Sequence, residues 1–254
     1  MIKSLASALC IGTGGSIGRE GPIAQIGSAL GSTLGQLLHL SDERVRNLVA
    51  CGAAGGIVAT FNAPIAGSIF ALEVILGRLE VTYFGAVVIS SVAAVAVARI
   101  FYEGTFAFAV PQYALISPWE LVLYSLLGLL AAIGAVVFIR LLYASEDLWD
   151  RIPLPEFIKP IGGGLLLGAI GLLTFKAADG FPRVFGVGYG SIGDVLFGRL
   201  ASEVVLGLFI FKLLATVLTL GAGGSGGIFA PSLFMGAMMG TIFGQIAHHL
   251  FPTF

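Results

Sequence analysis

Charge is what this chain has least of. Only 11% of its 254 residues are Asp, Glu, Lys or Arg, where a soluble domain carries about 25%. Residues 4–18, 21–41, 47–72, 81–98 and 121–139 hold none, and neither does any position in 213–254. A net charge of −1 supplies no basic surface for nucleic acid, so no nucleic acid partner is expected. Cysteine is scarce too. Cys10 and Cys51 each lie in apolar, helix-like sequence and read as buried small hydrophobes rather than as a disulfide or metal ligands. The three histidines, His39, His248 and His249, fall near expected helix ends and read as solvated or interfacial side chains. No metal-ligand constellation and no Ser/His pairing stands out, so the expectation is no metal, no cofactor and no enzyme.

What fills the chain instead is apolar sequence, 57% of all residues. Roughly 20 apolar residues span a bilayer, so the charge-free stretches read as helices that span, or nearly span, a membrane. The pattern predicts an all-α, multi-pass integral membrane protein with helices near 3–17, 21–39, 46–60, 64–77, 83–102, 118–148, 157–176, 202–220 and 229–249. A short helix near 191–200 is an option. Residues 41–46, 145–159 and 176–183 are polar and read as water-exposed connections. Lys and Arg are scattered too evenly to orient the chain by the positive-inside rule. The opening MIKSLASALC has the look of a signal peptide, but its short apolar run continues into a glycine motif, so cleavage is not expected. Phe106, Phe108, Tyr113 and Trp119 fit an interfacial aromatic cluster.

Glycine is abundant, at 37 residues, and it is patterned. Gly27, Gly31 and Gly35, and again Gly236, Gly240 and Gly244, recur at spacings of four, which lets helix backbones approach closely. Moreover, GTGGSIGREGPIAQIGSALGSTLGQLLH (residues 12–39) matches GAGGSGGIFAPSLFMGAMMGTIFGQIAH (residues 221–248) without a gap, at an offset of 209 residues. The identities include Ser16/Ser225, Gly18/Gly227, Pro22/Pro231, Gln36/Gln245 and His39/His248. Low complexity could explain matched glycines, but it explains poorly the matched Ser, Pro, Gln and His. The chain therefore contains an internal repeat, divided here as 1–110 and 111–254, with no soluble domain.

Paired Gly/Pro-interrupted segments in the two halves of a membrane protein point to a transport site. Each copy has a glycine-rich break and then a proline in the first turn of a helix, where its missing N–H costs nothing. Amides at a helix start lack intrahelical acceptors and carry the positive end of the dipole, so such ends attract anions without a formal charge. Glu20 then has two open readings. It is a gate that occupies the anion site and leaves when protonated, or it merely complements the helix dipole. Arg19 is read as structural more than as a direct anion ligand. Asn62-Ala63-Pro64 reads as a break between two helices. A dinucleotide reading of Gly12, Gly14 and Gly18 fails, because the third glycine of that fingerprint would fall at Ile17 and no strand precedes it. An intramembrane enzyme with Glu20 and Glu73 as an acid pair lacks support, because the repeat duplicates the glycines but not the acid.

Gly18-Arg19-Glu20-Gly21-Pro22, Gly227-Ile228-Phe229-Ala230-Pro231 and, between them, GAAGGIVATFNAPIAGSIFALE (residues 52–73) resemble the CLC family of chloride channels and anion/proton antiporters, and the resemblance covers essentially the whole chain. It implies an inverted-repeat helical bundle with broken helices, assembled as a homodimer in which each subunit has its own pore. It also implies that Glu20 is the gating and proton-transfer residue. Backbone amides around Gly18, Arg19 and Gly21, and at Gly227, Ile228 and Phe229, would meet the anion, with Pro22 and Pro231 structural. Chloride is the expected anion, protons a second cargo, and a prokaryotic cell membrane the expected location.

Two departures qualify the resemblance. The family's Gly-Ser-Gly-Ile-Pro-like serine loop and its closing helices with an anion-coordinating tyrosine are expected to lie outside residues 1–254. The bundle is therefore expected to be incomplete at both ends, and the 254-residue chain alone to conduct poorly. Of the dimer contact, residues 62–78 and 84–102 are expected to be present. In addition, the position of the inner proton-transfer Glu of many antiporters falls on Val74, beside Glu73. That leaves a passive anion channel, or a non-transporting fragment, as alternatives. Glu73 itself reads as a helix-end or interfacial residue.

Overall fold

The computed structural model describes residues 2–77, 81–102, 108, 110–113, 115, 117–177 and 183–250. Every named element among them is a helix. They are α1 (Ile2–Gly12), α2 (Glu20–Leu37), α3 (Asp42–Phe61), α4 (Pro64–Phe70), a π-helix (Ala71–Leu76), α5 (Val81–Tyr102), α6 (Glu120–Arg151), α7 (Lys159–Ala177), α8 (Tyr189–Leu196), α9 (Ser202–Gly221) and α10 (Phe229–Leu250). Four stretches are long and apolar enough to cross a membrane: Tyr83–Phe101, Glu120–Arg151, Ser202–Gly221 and Phe229–Leu250. The chain divides into two compact units, one of residues 1–6 and 19–108, the other of residues 7–18 and 109–254.

In the first unit, α2 packs on α3 almost backbone to backbone. A Cβ on Gly27 would meet the Gly52 carbonyl oxygen at 2.0 Å, and one on Gly31 the Leu48 carbonyl oxygen at 2.1 Å. The glycine stripe on α2 thus does what its spacing predicts. Ala24, Ala53 and Ile57 are buried beside this contact, with Phe61 and Phe70 against them. The break after α3 is made as expected. Asn62 caps α3 in the left-handed region at φ 54°, and Pro64 opens α4, where its fixed φ suits the first helical position. Helix α4 then widens into the π-helix, which the sequence pattern does not reveal. Glu73 and Val74 both sit on it, and both are exposed.

In the second unit α9 is the central element, with α6, α7 and α10 packed on it. Phe138, Leu213, Val217 and Met235 form one buried cluster between α6, α9 and α10. Of the expected water-exposed connection at 145–159, only 152–158 lies outside a helix. Helix α6 runs on to Arg151, because Ser145 and Trp149 are buried on one side of its last turns. The Ser145 hydroxyl donates to the Val217 carbonyl at 3.1 Å, and the Trp149 ring lies against Gly162 of α7. Residues 42–46 are likewise helical rather than a connection, with Asp42 and Glu43 in the first turn of α3, where acids complement the dipole. The second glycine stripe behaves differently from the first: among the described residues nothing lies within 4 Å of a Cβ built on Gly236, Gly240 or Gly244. An apolar groove of about 530 Å³ runs along α7, lined by residues that include Leu165, Leu172, Phe175 and Phe185.

Both cysteines are free thiols, Cys51 buried and Cys10 half-buried. His39, His248 and His249 are exposed. Tyr113 and Trp119 are 86% and 69% exposed, and Phe106 lies outside the described residues. No group of three or more His, Cys, Asp or Glu that could hold a metal occurs among the described residues.

Candidate functional site: the paired glycine motifs

Helix α1 ends at Gly12 instead of near residue 17, and the backbone that follows explains why. Gly14 adopts φ +103°, and its repeat mate Gly223 adopts φ +92°, a region that L side chains avoid. One residue on, a Cβ at Gly15 would sit 2.6 Å from the Cys10 carbonyl oxygen, and one at Gly224 2.4 Å from that of Thr219. The amides match as well. Gly15 N–H donates to Cys10 O at 2.7 Å, and Gly224 N–H to Thr219 O at 2.8 Å. The two copies terminate their preceding helices by the same hydrogen-bonded turn.

The copies then meet. Gly18 N–H donates to the Gly227 carbonyl at 2.7 Å, and Gly227 N–H donates to the Gly18 carbonyl at 2.8 Å, forming an isolated antiparallel bridge. Behind it lie two hydroxyl pairs. Ser7 Oγ is 3.0 Å from Ser225 Oγ, and Ser16 Oγ is 3.2 Å from Thr216 Oγ1. Under the 209-residue offset Ser7 corresponds to Thr216 and Ser16 to Ser225, so each hydroxyl pair is the image of the other. Residues 7–18 and 216–227 are therefore related by a local two-fold, with the Gly18–Gly227 bridge on its axis. Ile17 fills the space beside it, since a Cβ at Gly226 would strike Ile17 at 2.3 Å.

Each bridging glycine is followed by a helix start. Glu20 is the first residue of α2 and Phe229 the first of α10, with Pro22 and Pro231 third in each. The first hydrogen bonds of these helices run from Ile23 N–H to Arg19 O and from Ser232 N–H to Ile228 O. The N–H groups at 19–21 and 228–230 precede those bonds, so helix geometry gives them no intrahelical acceptor. The amides of Gly18 and Gly227 are engaged with each other, so these two glycines tie the motifs together. Glu20 is buried, at 5% exposed, while Arg19, Gly21, Ile228 and Phe229 are exposed.

Sequence reasoning missed one charged residue. Lys212, midway along α9, is 0% exposed. Its Nζ donates to the carbonyls of Val184 at 3.0 Å and Gly186 at 2.7 Å and lies 5.1 Å from the centre of the Phe234 ring. The signal was available: Lys212 is the only charged residue after Glu203, and an isolated charge inside a membrane-spanning helix marks a functional position by default.

Long apolar helices, helix breaks at a repeated Gly/Pro motif and a local two-fold at that motif define an α-helical membrane protein. Comparison with known proteins assigns it further. Residues 1–254 match the family described as voltage gated chloride channel, and the chain belongs to that family, the CLC proteins. It is 34% identical to a putative chloride channel protein ClcB-like of Ralstonia nicotianae, over 99% of this chain and 58% of that protein. It is also 34% identical to the H(+)/Cl(-) exchange transporter ClcA of Vibrio cholerae, over 99% of this chain and 54% of that one. Among solved structures it is similar to a slow cyanobacterial Cl−/H+ antiporter, with a TM-score of 0.84 at 26% identity, covering 96% of this chain and 57% of that one. A CLC-type fluoride/proton antiporter gives a TM-score of 0.77 at 25% identity, covering 99% and 60%. The chain thus spans a little over half the length of these relatives.

Proposed function

We propose that the protein moves a small inorganic anion, chloride first, across a cell membrane, with Glu20 as gate and proton carrier. The observation that carries this reading is the Gly18–Gly227 bridge. It ties together the two glycine motifs that lead into helix starts, and helix starts favour anions without the tight binding that a contacting lysine would impose. The amides of Arg19, Gly21, Ile228 and Phe229 serve the anion, while Gly18 and Gly227 hold the motifs. Glu20, the first residue of its helix, competes for the same dipole when ionised and withdraws when protonated. Family membership and the exchangers among its relatives support the same conclusion. A homodimer in a prokaryotic cell membrane is part of the proposal.

A second reading, an uncoupled channel, is favoured by Val74. It stands beside Glu73 on the exposed face of the π-helix, at the place where the resemblance puts an inner proton-transfer acid. The test is flux from liposomes that carry the purified gene product, with chloride and proton movement recorded together. Coupled movement with fixed stoichiometry is expected. Chloride flux without protons selects the channel, and no anion flux rejects both readings.

A further inference from the structure

The offset that relates the glycine motifs extends upstream. It pairs Lys3 with Lys212, Leu5 with Leu214, Ala6 with Ala215 and Leu9 with Leu218. A lysine thus stands at the same place in the helix that leads into each motif. Only for Lys212 are the surroundings filled, and they are unusual for a buried charge. No carboxylate among the described residues lies within 4 Å of its ammonium; the ion pairs nearby in sequence are Arg183–Asp194 and Arg199–Asp194. Two carbonyl dipoles and the face of the Phe234 ring solvate the cation without neutralising it. Stability alone does not call for such a residue, because a well-packed apolar side chain in place of a buried charge is often neutral or stabilising.

Its location gives the charge a use. Phe234 lies in the second turn of α10, about 7.5 Å along the axis from Phe229 at 1.5 Å per residue. Gly188, at φ +87°, closes the other side: a Cβ there would meet the Phe234 ring at 2.6 Å and Lys212 Nζ at 3.5 Å. The ammonium is therefore held still, between the backbone of residues 184–188 and the helix that begins at Phe229.

We propose that Lys212 is a positioning residue for the anion: a buried positive charge behind the start of α10 that raises anion affinity at Ile228 and Phe229 through the low-dielectric interior, without touching the anion. This rests on the anion-transport reading above. It gives the site a long-range attraction while leaving release to the weakly holding amides.

The test is chloride titration by calorimetry of the detergent-purified full gene product and of Lys212→Gln, Lys212→Arg and Gly188→Ala, with the thermal midpoint of each measured alongside. Lys212→Gln keeps a donor for the Val184 and Gly186 carbonyls and removes only the charge. Its chloride Kd is expected to rise about tenfold, the scale of one unit charge roughly 10 Å away at an effective dielectric near 20. Lys212→Arg restores most of the affinity. Gly188→Ala, which crowds the clamp but keeps the charge, lowers the thermal midpoint more than the affinity. Chloride affinity in Lys212→Gln equal to that of the unmodified protein overturns the proposal, as does loss of affinity in Gly188→Ala as large as in Lys212→Gln. Failure of Lys212→Gln to fold while Lys212→Arg folds also overturns it, assigning the charge to folding. Absence of chloride binding by the unmodified protein instead rejects the transport reading.

Discussion

Gly18 and Gly227 exchange both of their backbone hydrogen bonds, N–H to carbonyl at 2.7 Å one way and 2.8 Å the other. A mutual pair between two residues of equal rank in a repeat is what a two-fold axis produces when it passes between them. The hydroxyl pairs Ser7–Ser225 and Ser16–Thr216 obey the same axis. The centre of the repeat is thus a small polar seam between apolar helices. Backbone groups buried there require partners, and they find them in each other.

Bulky substitution at the bridge should harm the protein more than loss of the prolines. Gly18→Val and Gly227→Val bring a β-branched side chain into a backbone-to-backbone contact. Pro22→Ala and Pro231→Ala remove only a preset φ at a position whose N–H has no helical acceptor, a loss of about 0.4–1 kcal/mol. Chloride calorimetry and thermal unfolding of the four variants check this. A loss of affinity in the proline variants as large as in the glycine variants contradicts it.

Glu20→Gln keeps the volume of the side chain and removes its proton. Proton movement is expected to stop and chloride flux to change and lose its pH dependence. The measurement is chloride flux from liposomes across pH 4–8. Unchanged pH dependence removes Glu20 from the gate.

The hydroxyl seam should show coupling of equal size in its two halves. A double-mutant cycle on Ser16→Ala and Thr216→Ala is expected to give an interaction of about 1 kcal/mol, and one on Ser7→Ala and Ser225→Ala a similar value. Denaturation of the singles and doubles measures both. Additive effects in either pair would show that the hydroxyls do not stabilise the two-fold.

Gly27→Leu and Gly240→Leu fall one on each glycine stripe, yet opposite outcomes are expected in the 254-residue chain. At Gly27 the new side chain meets the Gly52 backbone, and overpacking of this kind costs about 1–3 kcal/mol. At Gly240 no described residue lies within 4 Å, so stability changes little. Comparison of the two thermal midpoints decides the matter.

Much of the fold was legible in the sequence because membrane helices announce themselves locally. The helices, the break at Asn62-Ala63-Pro64 and the short α8 all follow from runs of apolar residues punctuated by Gly and Pro. The misjudged boundaries share a cause. Polarity in 42–46 and in 145–151 suggests loop, whereas those residues form a dipole-favoured first turn and the end of a long helix held by buried Ser145 and Trp149. Charge near a helix end belongs to the helix as readily as to the connection. The π-helix at Ala71–Leu76 left no trace, because an apolar run carries no mark of which carbonyl each amide will choose.

The sequence by itself determined that the chain is helical, that it is made for lipid, and that it carries one glycine-proline motif twice. These are properties of composition and spacing. Only the tertiary structure decided that Gly18 pairs with Gly227 across 209 residues, that one glycine stripe is packed on a partner and the other is not, and that Lys212 is held by the carbonyls of Val184 and Gly186. Each of these is a choice of partner among groups of identical chemistry. Hydrogen bonds to backbone carbonyls are blind to side-chain identity, so no residue name encodes them, and the packing of helices alone settles which carbonyl comes within reach.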